Sequence, residues 1–119
     1  MDWQTAELSG YAYYSRLGYR IFVPLVSNQG YDFIAEKDGT FLRVNVKVAG
    51  LKDRASRTSW SISVASGSNT SIGKRHDIKC DVFLVYLPAT GNFIELPGSF
   101  FATGNSKSKL IPKHLLKDQ

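Results

Sequence analysis

The order of apolar and polar positions divides the chain into a leading helix followed by short strands. Between Asp2 and Leu17, the residues Trp3, Ala6, Gly10, Tyr13, Tyr14 and Leu17 fall near a helical period and draw one apolar stripe. Asp2 is placed to cap the start of this helix, and Gly18 to end it in a left-handed conformation. Gly10 costs about 1 kcal/mol of helix propensity relative to Ala, which points to a close approach by another element. Residues 19–25 are β-branched and aromatic and read as a strand; residues 27–30 have turn composition. Residues 31–37 and 40–48 alternate on either side of Asp38-Gly39, the dipeptide of a two-residue hairpin turn. Residues 59–65 alternate through Trp60, Ile62 and Val64, and residues 66–73 form a polar Ser/Gly loop. The unbroken apolar run from Val82 to Leu87 suits a strand covered on both faces. Residues 88–92 read as a turn and 93–96 as a return strand, with Trp60 and Phe93 as core aromatics. A short helix is expected after Pro112. The sum is an α+β fold in which an N-terminal helix packs on a mostly antiparallel mixed sheet, in a single domain over residues 1–119.

The hairpin has a geometric consequence. A turn at Asp38-Gly39 pairs Lys37 with Thr40, and the same register carried back sets Asp32 opposite Asn45. Side chains alternate faces, so Phe33, Ala35, Leu42, Val44, Val46 and Val48 share one face and make a core. Asp32, Arg43, Asn45 and Lys47 share the other. A carboxylate, an amide and an amine therefore meet within roughly 5–8 Å, the spacing of direct and diagonal cross-strand neighbours. Phosphodiester hydrolysis needs a hard cation to polarise a phosphoryl oxygen and activate water. Mg²⁺ takes oxygen ligands, commonly one or two carboxylates with waters and phosphate. Asp32 and Asn45 offer such oxygens, and the Val46 carbonyl is a further candidate. Lys47 can stabilise developing negative charge, or orient a water if its surroundings lower its pKa.

Composition narrows the partners. The net charge of +5 and a pI of about 9.4 suit a polyanion. Arg43, Arg54, Arg57, Lys74, Arg75 and Lys79 are the candidate phosphate contacts. Cys80 is the only cysteine, which excludes an intramolecular disulfide and fits a reducing compartment. No signal-peptide pattern and no membrane-length apolar run is present, so a cytoplasmic location is expected. His76 and His114 lack neighbours at zinc-ligand spacing. Residues 67–74 fail as a phosphate-binding loop, because the glycine gap is one residue too long and Arg75 replaces the Ser or Thr.

Gly30-Tyr31-Asp32-Phe33-Ile34, a turn, and then Leu42-Arg43-Val44-Asn45-Val46-Lys47 resemble the PD-(D/E)XK nuclease motif. Asp32 matches its metal-binding aspartate, Asn45 its second acidic or amide position, and Lys47 its lysine. Gly18-Tyr19 followed by Pro24 is similar to small phage, intron-encoded and resolvase-like members. In those members a glutamate on the first helix completes the site, and Glu7 is the matching residue. Cys80 to Tyr86 resembles the strand that follows. The resemblance implies a restriction-endonuclease-like core and a Mg²⁺ (or Mn²⁺) dependent DNA endonuclease of homing or phage type. It also implies a homodimer or homotetramer, since two sites are needed to cut two strands. Asn45 departs from the usual Glu or Gln by its shorter side chain. Two rivals follow from the same residues: a Holliday-junction resolvase acting on branched rather than linear double-stranded DNA, and a DNA-binding protein that has lost the metal.

Overall fold

The computed structural model describes residues 2–26, 30–54, 57–63, 79–101 and 108–115. Helix α1 spans Trp3–Arg16; Asp2 caps it by accepting the Thr5 N–H at 2.8 Å, and Gly18 takes the left-handed φ of +90° expected of it. Ala6, Gly10 and Tyr14 are its buried residues. Trp3 and Leu17, assigned to the same stripe, stand 67% and 48% exposed, so the buried face is confined to the middle of the helix. Gly10 is the point of closest approach. A Cβ there would meet Leu84 Cδ2 and Val46 Cγ2 at 3.2 Å, so the glycine lets the helix backbone lie against the sheet.

That sheet has five strands in the order β1 (Arg20–Phe22), β2 (Phe33–Lys37), β3 (Thr40–Val48), β6 (Val82–Leu87) and β7 (Asn92–Pro97). All neighbours are antiparallel except β3 and β6, which run parallel. The β2–β3 hairpin has the expected register: Lys37 faces Thr40 and Phe33 faces Val44. Asp38 and Gly39 both take positive φ, 51° and 81°, as a two-residue turn that follows the strand twist requires. Strand β1 is shorter than the expected 19–25. It stops at Phe22, two residues before Pro24, which has no N–H to give a ladder.

A second sheet, not foreseen, joins β4 (Gly50–Arg54), β5 (Arg57–Ser63) and β8 (Ser108–Leu110). The chain leaves the first sheet after Val48 and enters the second at Gly50, with the Ala49 N–H still bonded to the Tyr86 carbonyl at 2.9 Å. Strand β5 covers only part of the expected 59–65; its last two positions and the Ser66–Gly73 loop lie outside the described residues. The short helix after Pro112 is a single 3-10 turn, Lys113–Leu115.

The five-stranded sheet separates two apolar layers. On the helix side, Tyr14, Phe33, Ala35, Val44 and Leu84 are buried, with Tyr11, Leu42, Val46 and Phe93 packed against them. On the far side, Phe83, Val85, Leu87, Ile94 and Leu96 pack with Ala49, Ile62 and Ile111. Strand β6 feeds both layers, as its unbroken apolar run requires. Among the described residues no helix is long and apolar enough to cross a membrane.

Candidate active site at the parting of two strands

The candidate residues gather where β2 begins beside β3. Asp32 stands immediately ahead of β2. Its N–H donates to the Val44 carbonyl at 2.8 Å, and its Oδ2 accepts the Val46 N–H at 2.6 Å. Both bonds tie it to β3, and a charge-assisted bond of this length fixes the direction of the carboxylate. The β2–β3 ladder ends at Phe33–Val44, and because the Asp32 N–H also turns to the Val44 carbonyl, the expected pairing of Asp32 with Asn45 is not continued. Lys47 lies on the Asn45 face of β3, beside Val85 of β6. Burial pushes the Lys47 ammonium below its ordinary value, and the negative charge of Asp32 acts in the opposite sense. The charge of Asp32 is thus felt at Lys47.

Gly30, two residues before Asp32, has φ +84°, and a Cβ there would lie 2.9 Å from Lys79 Cβ. The glycine therefore lets the stem of Lys79 pack on the backbone two residues before Asp32. Lys79 itself is exposed.

Glu7 enters from α1. Tyr11, one helical turn further on, donates its hydroxyl to Glu7 Oε1 at 2.8 Å. The Tyr11 ring meets Phe33 edge-on at 4.9 Å. Burial first, then the Glu7 hydrogen bond, then the charges of Glu7 and Asp32 push the Tyr11 phenol up to about 12. Glu7 and Asp32, 25 positions apart in sequence, therefore both act on one phenol, Glu7 by a hydrogen bond and Asp32 by its charge. Tyr11 was absent from the sequence-derived candidates; its signal is the four-residue spacing from Glu7, which stacks the two side chains on one helix flank. Trp3, Gln4, Glu7, Leu8 and Tyr11 line a groove of about 380 Å³ that opens this flank to solvent.

The donor chemistry fits a hard divalent cation. Two carboxylates, an amide oxygen at Asn45 and the Val46 carbonyl are the kinds of ligand Mg²⁺ or Mn²⁺ takes, completed by water and phosphate. An ionised carboxylate has lone pairs enough to accept a hydrogen bond and still hold a cation. Among the described residues no three Asp, Glu, His or Cys side chains converge, so a cation held here relies on this pair of acids and on neutral oxygens.

The remaining basic candidates divide. Arg43 is committed to Asp81, with its Nη2 3.1 Å from Oδ1 and its Nε 3.2 Å from Oδ2. Arg54 and Arg57 are register partners at the end of the β4–β5 hairpin. Lys74 and Arg75 lie outside the described residues. Cys80 is buried, and burial pushes its thiol up to about 11, so it stays neutral beside Lys47.

Among curated proteins the chain has no match. Its structure is similar to that of a bacterial homing endonuclease, I-Ssp6803I, with a TM-score of 0.72 and 17% identity. The likeness covers 92% of this chain and 74% of that one, and at such identity it speaks to the fold alone. The model of the family described as PD-(D/E)XK endonuclease matches residues 4–115, a span that takes in α1, the five-stranded sheet and all four of Glu7, Asp32, Asn45 and Lys47; the chain belongs to that family.

Proposed function

We propose that this protein is a divalent-metal-dependent DNA endonuclease of the homing or phage type that hydrolyses phosphodiester bonds at Asp32 and Lys47. One observation carries the reading: the Asp32 carboxylate, fixed by the Val46 N–H at 2.6 Å, lies next to a half-buried lysine whose ammonium burial destabilises. Glu7, Asp32, Asn45 and the Val46 carbonyl would hold Mg²⁺ or Mn²⁺. The bound ion would supply Lewis-acid polarisation of the phosphoryl oxygen and a more acidic water. The chain's own groups do the rest. Asp32 is held still before substrate arrives, so no reorganisation is needed on binding. Lys47 sets a positive charge beside the phosphate and, with its proton loosened by burial, exchanges that proton with a water more readily than an exposed lysine. Lys79 and the excess positive charge draw the DNA backbone to this edge.

Cutting both strands needs two such sites, so the working form is a homodimer or homotetramer. Linear duplex is the first substrate to test, with a four-way junction as its rival. A second reading, a DNA-binding protein without catalysis, draws support from Asn45 and from the absence, among the described residues, of a third converging acid. Cleavage of supercoiled plasmid in Mg²⁺ separates them. The expected result is nicking or linearisation that stops with EDTA and falls steeply in Lys47→Ala. Cleavage that survives both treatments contradicts the assignment, and salt-sensitive DNA binding without any cleavage favours the second reading. A gel in which a four-way junction outcompetes linear duplex would move the substrate to branched DNA.

A further inference from the structure

We propose that Tyr11 is a positioning residue of this site: its hydroxyl holds the Glu7 carboxylate in the orientation needed to share a divalent cation with Asp32. The inference rests on the metal-dependent reading above and goes beyond it in assigning a role to a residue outside the nuclease motif. Glu7 is a flexible side chain on an exposed flank of α1, between Trp3 and Leu8, which are 67% and 65% exposed. Left alone, such a carboxylate samples several rotamers, and fixing it costs side-chain entropy. Tyr11 removes that freedom. Its ring is held by Phe33, 4.9 Å away and nearly perpendicular, and Phe33 is fully buried in the sheet. The hydroxyl is thereby aimed from a fixed point, and it meets Glu7 Oε1 at 2.8 Å.

The anchor also locates the carboxylate relative to its partner. Phe33 follows Asp32 directly in the chain, so the residue that fixes Tyr11 is attached to the residue that offers the second carboxylate. The charge of Asp32 acts on the same phenol that binds Glu7. Tyr11 is therefore a rigid spacer: one end is set by the strand that carries Asp32, the other grips Glu7. Because the hydroxyl engages Oε1, Oε2 keeps its own lone pairs for a cation. A plain core tyrosine would need only the ring. The hydroxyl on Glu7 is the feature that packing does not explain.

The test measures Mn²⁺ affinity of the full chain by paramagnetic resonance of the free ion, in wild type, Tyr11→Phe, Glu7→Gln and the double variant. Tyr11→Phe keeps the ring against Phe33 and removes only the hydroxyl. The expected result is about 10-fold weaker Mn²⁺ binding in Tyr11→Phe, the scale of losing a group that orients a metal ligand. In the Glu7→Gln background the same change should add nothing, because the hydroxyl acts only through that carboxylate. Tyr13→Phe, on the opposite flank against Tyr14 and Phe93, should leave affinity unchanged. Equal affinity in wild type and Tyr11→Phe, an equal loss in Tyr13→Phe, or full additivity with Glu7→Gln overturns the role of Tyr11 while leaving the nuclease reading intact. A wild-type protein that binds no Mn²⁺ overturns both.

Discussion

Asp32 and Asp81 occupy nearly equivalent places on opposite edges of β3. Each stands immediately ahead of a strand, β2 for Asp32 and β6 for Asp81. Each donates its own N–H to a β3 carbonyl, Val44 and Arg43 respectively, at 2.8 Å. Each carboxylate in turn accepts a β3 N–H, from Val46 at 2.6 Å and from Arg43 at 2.8 Å. The backbone treats the two alike, and the difference lies in the cation each one meets. Asp81 faces the forked guanidinium of Arg43, which neutralises it at the surface, and the side-chain bond to Arg43 holds its carboxyl below the usual range. Asp32 faces Lys47, an amine that burial makes a poorer ammonium, and it lies near the phenol that binds Glu7. Both aspartates tie strands together, and the proposed site assigns a cation to Asp32 alone. Strand-start geometry alone does not make a site; the neighbouring charge does.

The largest effect expected from this contrast is on cleavage. Asp32→Asn should reduce the rate of plasmid nicking in Mg²⁺ by about 10³-fold, since it removes the central anionic ligand. Asp81→Asn should stay within a few-fold of wild type. Comparable losses in the two variants, by initial rates, would erase the distinction. Next in size, Lys47→Met should lose about 10²-fold in rate, the scale of a positioned proton-transfer or charge-stabilising group. The same change should raise stability by about 1 kcal/mol, because an apolar chain replaces a poorly solvated ammonium. A denaturant titration showing Lys47→Met less stable than wild type would place the lysine on the structural side of the comparison.

The helix and the β2–β3 hairpin were readable because each is written in local terms. A cap at Asp2, a stop at Gly18 and an Asp-Gly turn fix ends and register without help from the rest of the chain. The turn then set the alternation of Asn45 and Lys47 along β3, and the predicted register holds as far as Phe33–Val44, one residue short of Asp32. What escaped depended on distant contacts. Gly50–Arg54 is too charged to show a strand pattern and earns its place only by pairing with β5. Ser108–Leu110 joins by pairing with the last three positions of β5 across a long chain separation. Asp81 could not be told from Asp32 by sequence, since both precede apolar strands; its pairing with Arg43 spans 38 positions. Tyr11 stood outside the apolar stripe drawn on the helix, and its link to Phe33 appears only once helix and sheet are packed.

Smaller effects belong to stability. Asp81→Asn should cost about 1 kcal/mol in denaturant unfolding, because an exposed ion pair is worth little and the lost charge-assisted bond to the Arg43 N–H adds modestly. A loss several times larger would make the Asp81–Arg43 pair more than a surface contact. The smallest effect concerns acid. Glu36 is held below its ordinary value of 4.5 by Arg20 and by the Gly39 N–H, and Asp81 below 3.8 by Arg43. A carboxylate with a depressed folded value binds its proton less readily folded than unfolded. The stability it contributes is complete above the ordinary value and is lost as pH falls through that value toward the folded one. Melting temperature should therefore decline below about pH 4.5 in wild type and decline less in Glu36→Gln. Parallel acid limbs for the two proteins would contradict the link.

The most direct measurement is the anomalous scattering of a crystal soaked in Mn²⁺. The ion should appear against the Asp32 carboxylate, with Glu7 or the Val46 carbonyl as a further ligand and no peak at Asp81. Mn²⁺ bound at Asp81, or Asp32 bare at a concentration of Mn²⁺ that supports cleavage, would contradict the assignment of the two aspartates.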